Sequence, residues 1–393
     1  MDKSWNYRKI GDVCTVERGG SPRPIDKFIT DDENGINWIK IGDTTDSMYI
    51  TKTEQKIIPE GMKKSRYVKP GDFLLSNSMS FGRPYILQID GCIHDGWLVL
   101  RDDDDLFDKR FLYYYLSSKT TYEKFKSMAV GGVVNNLNSE MVRNVEVPVP
   151  SKDDQSEIAD LLDKLKGVID NRKNELELLD ELIKVRFVEL FGDPVTNDKH
   201  WDMDTLLGVL EVGRTVTYGI VQTGDDVDEG IPVFRPIDIA GGHVPKREEL
   251  KKTLPEISDK YKRTLLKGNE LLITVRGSVG ETFQVDEEFE GCNVGRNIVP
   301  LVTDKKRVNQ RFLQELFAQK PIKDWLKAIT KGIALQGLNM SEFKEMPVII
   351  PDMGLQEEYV EFVVQVDKSK VAVQKALEKD QLLFDSLMQE YFG

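Results

Sequence analysis

Few residues in this chain have the types and spacing that a catalytic centre requires. The three histidines, His94, His200 and His243, are far apart and lack metal-ligand spacing. Cys14, Cys92 and Cys292 form neither a CxxC pair nor a disulfide framework, so a reducing cytoplasm is the expected setting. No GxxxxGKS or GxxxxGKT phosphate loop occurs, and no GxGxxG follows a strand pattern. An Asn-Pro-Pro-aromatic or Asp-Pro-Pro-aromatic motif, which would hold a base for amino methylation, is missing too; GDPV at Gly192 reads as a helix stop. The acidic run at 102–105 lies between a strand and a helix and reads as a solvated loop with an N-cap at Asp108. Asp259 and Lys260 lack a second acidic partner at nuclease spacing. The chain is therefore expected to be no enzyme, with no metal and no cofactor of its own.

What remains is a set of glycine-containing turns with polar side chains. SNSMSFGR, ending at Arg83, and TVRGSVGE, around Arg276, each follow an apolar strand. ERGGSPRP (17–24), TYGIVQTG (217–224) and CNVGRN (292–297) are similar. Exposed amides, hydroxyls and guanidinium groups in such turns can bind a phosphate or a base edge. A tight β-turn with a merely solvated arginine is an equal reading. The DNA-contact candidates are Arg83, Arg276, Asn293 and Arg296, with Tyr218 and Gln222 as weaker ones.

These turns sit in a duplicated chain. LNSEMVRNVEVPVPSKDDQSEI from Leu137 matches LNMSEFKEMPVIIPDMGLQEEY from Leu338 at a shift of 201. The same shift sets Gly131 against Gly332, Pro150 against Pro351 and Gln155 against Gln356. It also sets ELFG ending at Gly192 against EYFG ending at Gly393. Upstream, KPGDFLLSNSMSFGR from Lys69 matches KGNELLITVRGSVGE from Lys267 at a slightly different shift, as loop insertions produce. The plan is a globular unit and a helix, then the same again: 1–150, 151–192, 193–350 and 351–393.

The helices are the clearest signal. Ile158, Leu162, Leu165, Ile169, Arg172, Leu176, Leu179, Ile183, Arg186 and Leu190 alternate spacings of four and three, as a coiled-coil seam does. The second copy runs Tyr359, Val363, Val366, Lys370, Val373, Leu377, Asp380, Phe384, Leu387 and Tyr391. Two narrow apolar stripes in one chain most simply bury each other, as an antiparallel pair with a pseudo-two-fold axis. Aligning the seam midpoints places Arg172 beside Leu377, one layer from Asp380. Two peripheral helices, each packed on its own domain, are the alternative.

The globular units read as mixed α and β. FLLS, YILQI, WLVLR, VEVPVP, ELLITV, NIVPLV and PVII are short β-rich runs, while FLYYYLSSKTTYEKF and RFLQELFAQKPIKDWL read as helices. Without βαβ alternation, α+β fits better than a doubly wound sheet. The net charge of −13 argues against gripping nucleic acid by bulk positive charge, but residues 151–193 and 351–393 hold −10 of it. Each globular unit is near neutral and could present one basic face. No stretch is apolar and long enough to span a membrane.

A duplicated unit in which each copy precedes a long helix resembles the specificity subunit of type I restriction–modification systems. KGNELLITVRGSVG, LNMSEFKEMPVIIP followed by LQEE, and FGDPVTN carry the resemblance, which covers essentially the whole chain. It implies two target recognition domains, each reading one half of a bipartite site in double-stranded DNA. It implies an antiparallel helical spacer that docks two modification (methyltransferase) subunits, joined by restriction subunits in the larger assembly. S-adenosylmethionine, ATP and magnesium would belong to those partners. The family's closing PxPPxxEQ pattern is altered here to PVPSKDDQSE and VIIPDMGLQEE. A protein-binding coiled-coil adaptor, or the specificity module of a related restriction–modification type, is the alternative function.

Overall fold

The computed structural model describes residues 5–77, 82–129, 136–242, 245–331 and 337–393. The middle of the turn at 76–83, His243, Gly131 and Gly332 lie outside the described residues. The chain divides into two units: Met1–Lys173 with Lys375–Gly393, and Asn174–Gln374. Each is a mixed α/β structure.

The first unit holds two five-stranded sheets. One has the order Thr15–Arg18, Trp97–Arg101, Phe73–Ser76, Pro84–Leu87, Tyr49–Ile50. Its three middle strands are continuous apolar runs because both faces are covered. Phe73, Leu75, Ile86, Leu98 and Leu100 face a core shared with Phe111 and Tyr115. The alternate residues Leu74, Tyr85, Leu87, Trp97 and Val99 face a second core with Ile39, Val68 and Ile93. The other sheet runs Ile29–Thr30, Gln55–Ile57, Ile36–Ile39, Gly91–Ile93, Arg66–Val68. Within it, Gly91–Ile93 is parallel to Ile36–Ile39, with Cys92 opposite Trp38, and antiparallel to Arg66–Val68.

The second unit repeats this scheme with shorter sheets. Leu271–Thr274 lies between Thr282–Gln284 and Ile298–Leu301. Ile231–Phe234 lies between Lys252–Thr253 and Asn293–Val294, parallel to the latter. Leu271, Ile273 and Val299 pack toward the helix Gln310–Ala318, and Leu272 and Ile298 pack toward Phe234 and Phe289.

The central helix, Lys152–Phe191, and the distal helix, Met353–Phe392, each have 40 residues, about 60 Å at 1.5 Å per residue. Each contributes to both units, so neither is confined to the domain that precedes it. In the first unit Ile158 and Leu162 share a core with Phe392, whose ring lies 5.4 Å from Phe111 and 5.8 Å from Tyr115. In the second, Phe191 lies 4.9 Å from Phe312 and 5.3 Å from Tyr359. Phe191, Phe312 and Tyr359 correspond, at the shift of 201, to Phe392, Phe111 and Ile158.

Seam positions Ile158, Leu162, Ile169, Ile183, Val363, Val366 and Val373 are buried. Leu165, Leu176, Leu179, Leu377 and Phe384 are half-buried. Toward the end of the central helix the buried stripe leaves the seam pattern. Phe187 and Phe191, following Ile183 at steps of four, enter the globular core, and Arg186 turns to Glu189 (2.9 Å) and Glu358 (3.2 Å). The charged interruptions are also paired. Arg172 donates directly to Asp380 rather than lying one layer away, and Lys370 meets Asp180. No helix among the described residues is long and apolar enough to cross a membrane.

Candidate nucleic-acid interface

Two buried glutamines join each globular part to its helix. Gln155 Oε1 accepts the Asp108 N–H (2.8 Å), while Nε2 donates to the carbonyls of Leu106 and Pro150 (3.0 Å each). Gln356 repeats the clamp: Oε1 accepts the Asn309 N–H (2.9 Å), and Nε2 donates to Arg307 (3.1 Å) and Pro351 (2.7 Å). Asp108 and Asn309 are in turn the N-caps of the helices Lys109–Ser117 and Gln310–Ala318. The altered closing motif therefore keeps the one side chain the joint uses. The acidic run serves local structure, with the Asp102 carboxylate accepting the N–H groups of Leu106 (2.9 Å) and Phe107 (2.7 Å).

In each unit three further segments converge. In the first, Gly19 N–H donates to Trp97 O (3.0 Å) and Gly20 N–H to Ile93 O (3.1 Å). In the second, Ile220 N–H donates to Val294 O and Arg296 N–H to Ile220 O, both at 2.8 Å. These approaches need glycine: a methyl group would sit 2.1 Å from the His94 oxygen at Gly19 and 1.8 Å from the Val294 oxygen at Gly219. The third segment follows the parallel strand. Lys40 N–H donates to the Asp43 carboxylate (2.7 Å), and Arg235 N–H to Asp238 (2.6 Å). Ile41 N–H reaches His94 Nε2 (3.2 Å), and Gly295 N–H reaches Phe234 O (2.9 Å). The repeated strand-Lys/Arg-x-x-Asp in IKIGD and FRPID could have revealed this segment in the sequence.

Of the predicted contact residues, Tyr218, Gln222 and Arg296 come together here and are exposed. Arg276 is exposed in its turn, where its backbone bridges to Gly337. Among the described residues the guanidinium groups of Arg276 and Arg296 have no hydrogen-bond or ion-pair partner.

Asn293 does not fit the expectation of a DNA contact. It is fully buried; its amide donates to Ser258 Oγ (2.9 Å) and its oxygen accepts from Thr264 Oγ1 (2.7 Å) and Val294 N–H (2.9 Å). Its polar atoms are consumed holding the 258–264 segment to the sheet.

Arg83 stands apart as well. The two turns are equivalent, but Ser76 Oγ accepts the Arg83 N–H (2.9 Å) where Thr274 Oγ1 accepts the Glu281 N–H (3.0 Å). Arg83 thus corresponds to Glu281, not to Arg276. Its guanidinium pairs with Asp46 (3.3 Å) and borders a cavity of ≈ 920 Å³ with Tyr113, Lys119 and Phe384.

Sequence reasoning noted the ERGGSPRP turn of the first unit but drew no contact residue from it or from its neighbours. Ser21, Arg23, Trp38, Lys40, His94 and Asp95 line a cavity of ≈ 440 Å³ at the converging segments. The Ser21 hydroxyl holds the Asp95 carboxyl below its ordinary range, so it is ionised at neutral pH. Burial pushes the His94 imidazole down, toward its neutral form.

Two glycine-pinned surfaces of one backbone plan, each clamped to a long helix, define a duplicated α/β protein. Residues 2–180 and 199–382 match the family model of the type I restriction modification DNA specificity domain, and the chain belongs to that family. It is 25% identical to the type I restriction enzyme EcoBI specificity subunit of Escherichia coli, over 99% of this chain and 85% of that one. It is similar in fold to a chain from a solved type I restriction–modification system, with a TM-score of 0.61 at 16% identity over 99% and 97% of the two chains. The crystal structure of the type I system S subunit from M. genitalium matches with a TM-score of 0.55 at 18% identity, over 100% and 97%.

Proposed function

We propose that this chain is the non-catalytic DNA-reading subunit of a type I restriction–modification complex in the cytoplasm. Each unit reads one half of a bipartite site. The paired helices form an antiparallel, pseudo-two-fold coiled coil that sets the gap and docks two modification subunits. Restriction subunits complete the assembly, and S-adenosylmethionine, ATP and magnesium act on those partners. The observation that carries this reading is equivalence without identity. Both units use the same glutamine clamp and the same glycine-pinned surface. On that surface the first presents Arg18, Arg23 and Asp95, and the second presents Tyr218, Gln222 and Arg296. A shared backbone with different side chains is what two readers of different half-sites require.

Methylation mapping of DNA from cells expressing the chain with the modification subunits of its system tests this. A single bipartite motif is expected, with no methyl transfer, cleavage or ATP hydrolysis by the purified chain alone. Robust methyl transfer by the pure chain would overturn the subunit reading. Complex formation with partners but no sequence preference would favour the adaptor.

The guanidinium groups of Arg276 and Arg296 give a sharper expectation. Arg276→Ala and Arg296→Ala should each cost about 1–3 kcal/mol of binding at one half-site only. Fluorescence anisotropy on oligonucleotides varied one base at a time reads this out. If both variants bind and discriminate as the parent does, these arginines do not touch the DNA.

A further inference from the structure

The two units differ in charge at one point of their common surface. The hydrogen-bond register sets Asp95 of the first unit where the second has Arg296, since Gly96 O accepts the Asn77 N–H (2.9 Å) as Asn297 O accepts the Val275 N–H (2.8 Å). At a shift of 200, Arg23 stands where it has Thr223. Asp95 is held from several sides. Its backbone carbonyl accepts from the buried Asn77 amide (2.8 Å) and from Arg18 Nε (3.1 Å). Its Oδ1 accepts from the Ser21 hydroxyl (2.8 Å), and Oδ2 lies 3.5 Å from the Arg23 guanidinium. Yet the Asp95 side chain is still 45% exposed and that of Arg23 is 83% exposed.

An immobilised, ionised carboxylate on a DNA-facing surface is repelled by every phosphate. It favours binding only where a base offers it a donor. In the major groove the cytosine N4 amino group is such a donor, and the guanine paired with it presents O6 and N7 to an arginine. One C·G pair therefore offers, side by side, what Asp95 and Arg23 can each bind. Trp38 and His94 wall the same cavity, and a neutral, partly apolar wall strengthens such contacts by excluding water.

Resting on the DNA-reading role above, we propose that Asp95 and Arg23 are a specificity-determining pair of the first unit. Asp95 accepts from cytosine N4 and Arg23 donates to the guanine, so one half-site contains an obligatory C·G pair. The other half-site meets Arg296 at the equivalent position, a donor in place of the Asp95 acceptor, and so carries a different requirement there.

The test uses the full chain assembled with its modification subunits. Methylation mapping is combined with binding to oligonucleotides substituted at each position. Asp95→Ala should lower discrimination at one C·G pair of one half-site by about ten- to a hundredfold. The other half-site should stay unchanged. Asp95→Asn, which adds a donor and keeps the volume, should admit adenine at that position, since asparagine pairs with adenine N6 and N7. Arg23→Ala should weaken the same pair. An unchanged base preference in Asp95→Ala would overturn the proposal, as would a loss spread evenly over all sequences or a relaxed A·T position. A parent complex that yields no bipartite motif would instead overturn the DNA-reading role itself. Retained discrimination at the second half-site in the variants shows that the complex remains folded.

Discussion

Inserting four residues into each long helix, after Lys173 and after Gln374, is expected to widen the unread gap by one or two base pairs. Both half-sites should keep their sequence. The four residues add about 6 Å of helix, and base pairs are about 3.4 Å apart. Four is also close to one helical turn, so the seam keeps its phase to within about 40°. DNA bent to recover a mismatch of this size costs on the order of 1–6 kcal/mol. The original gap should therefore be modified roughly tenfold less, or weaker still. Methylation mapping of the lengthened chain decides it: the same gap at the same rate would refute the proposed ruler.

Gln356→Leu should lower the melting transition of the second unit by several degrees. The substitution removes one buried acceptor and one donor that serves two carbonyls. It leaves Asn309 N–H and the carbonyls of Arg307 and Pro351 without their partner. Each buried unsatisfied group costs about 1–3 kcal/mol, so the loss is at least about 3 kcal/mol. At roughly 2–4 °C per kcal/mol for a unit of this size, a drop of about 6–12 °C is expected. Gln155→Leu should do the same to the first unit and spare the second. Calorimetry resolves the two transitions, and a shift under 2 °C in both variants would show that the clamps carry no stability.

Several features were legible because they rest on local pattern. The long helices follow from the spacing of Ile158 through Leu190, and the N-cap from an aspartate placed before FLYYYL. The clamp could be traced to Gln155 and Gln356 only as a repeat, because its partners lie 47 and 49 residues upstream. Phe187 and Phe191 escaped the seam pattern because packing on Phe312 of the globular part, together with Tyr359 of the distal helix, sets their face. Asn293 misled because a polar residue in a glycine-containing turn reads as exposed. Here it stands in a strand between Cys292 and Val294, with its amide turned inward. Arg83 and Arg276 group together because each turn carries one arginine, yet the match of the two turns, in the sequence and through Ser76 and Thr274 alike, sets Arg83 against Glu281. Asp95 drew no notice because its role depends on Ser21, Asn77 and Arg23, which are brought to it only by folding.

The division of the chain has a consequence for its synthesis. The second unit is one continuous stretch, Asn174–Gln374, whereas the first needs Lys375–Gly393 to complete its core around Phe392. On a ribosome adding about 5–20 residues per second, Lys173 precedes that segment by about 10–40 s. The part made first is therefore finished last. During that interval Phe111, Tyr115 and Ile158 wait without Phe392. A released chain ending at Gln374 should thus protect residues 174–374 from protease and leave the earlier part sensitive.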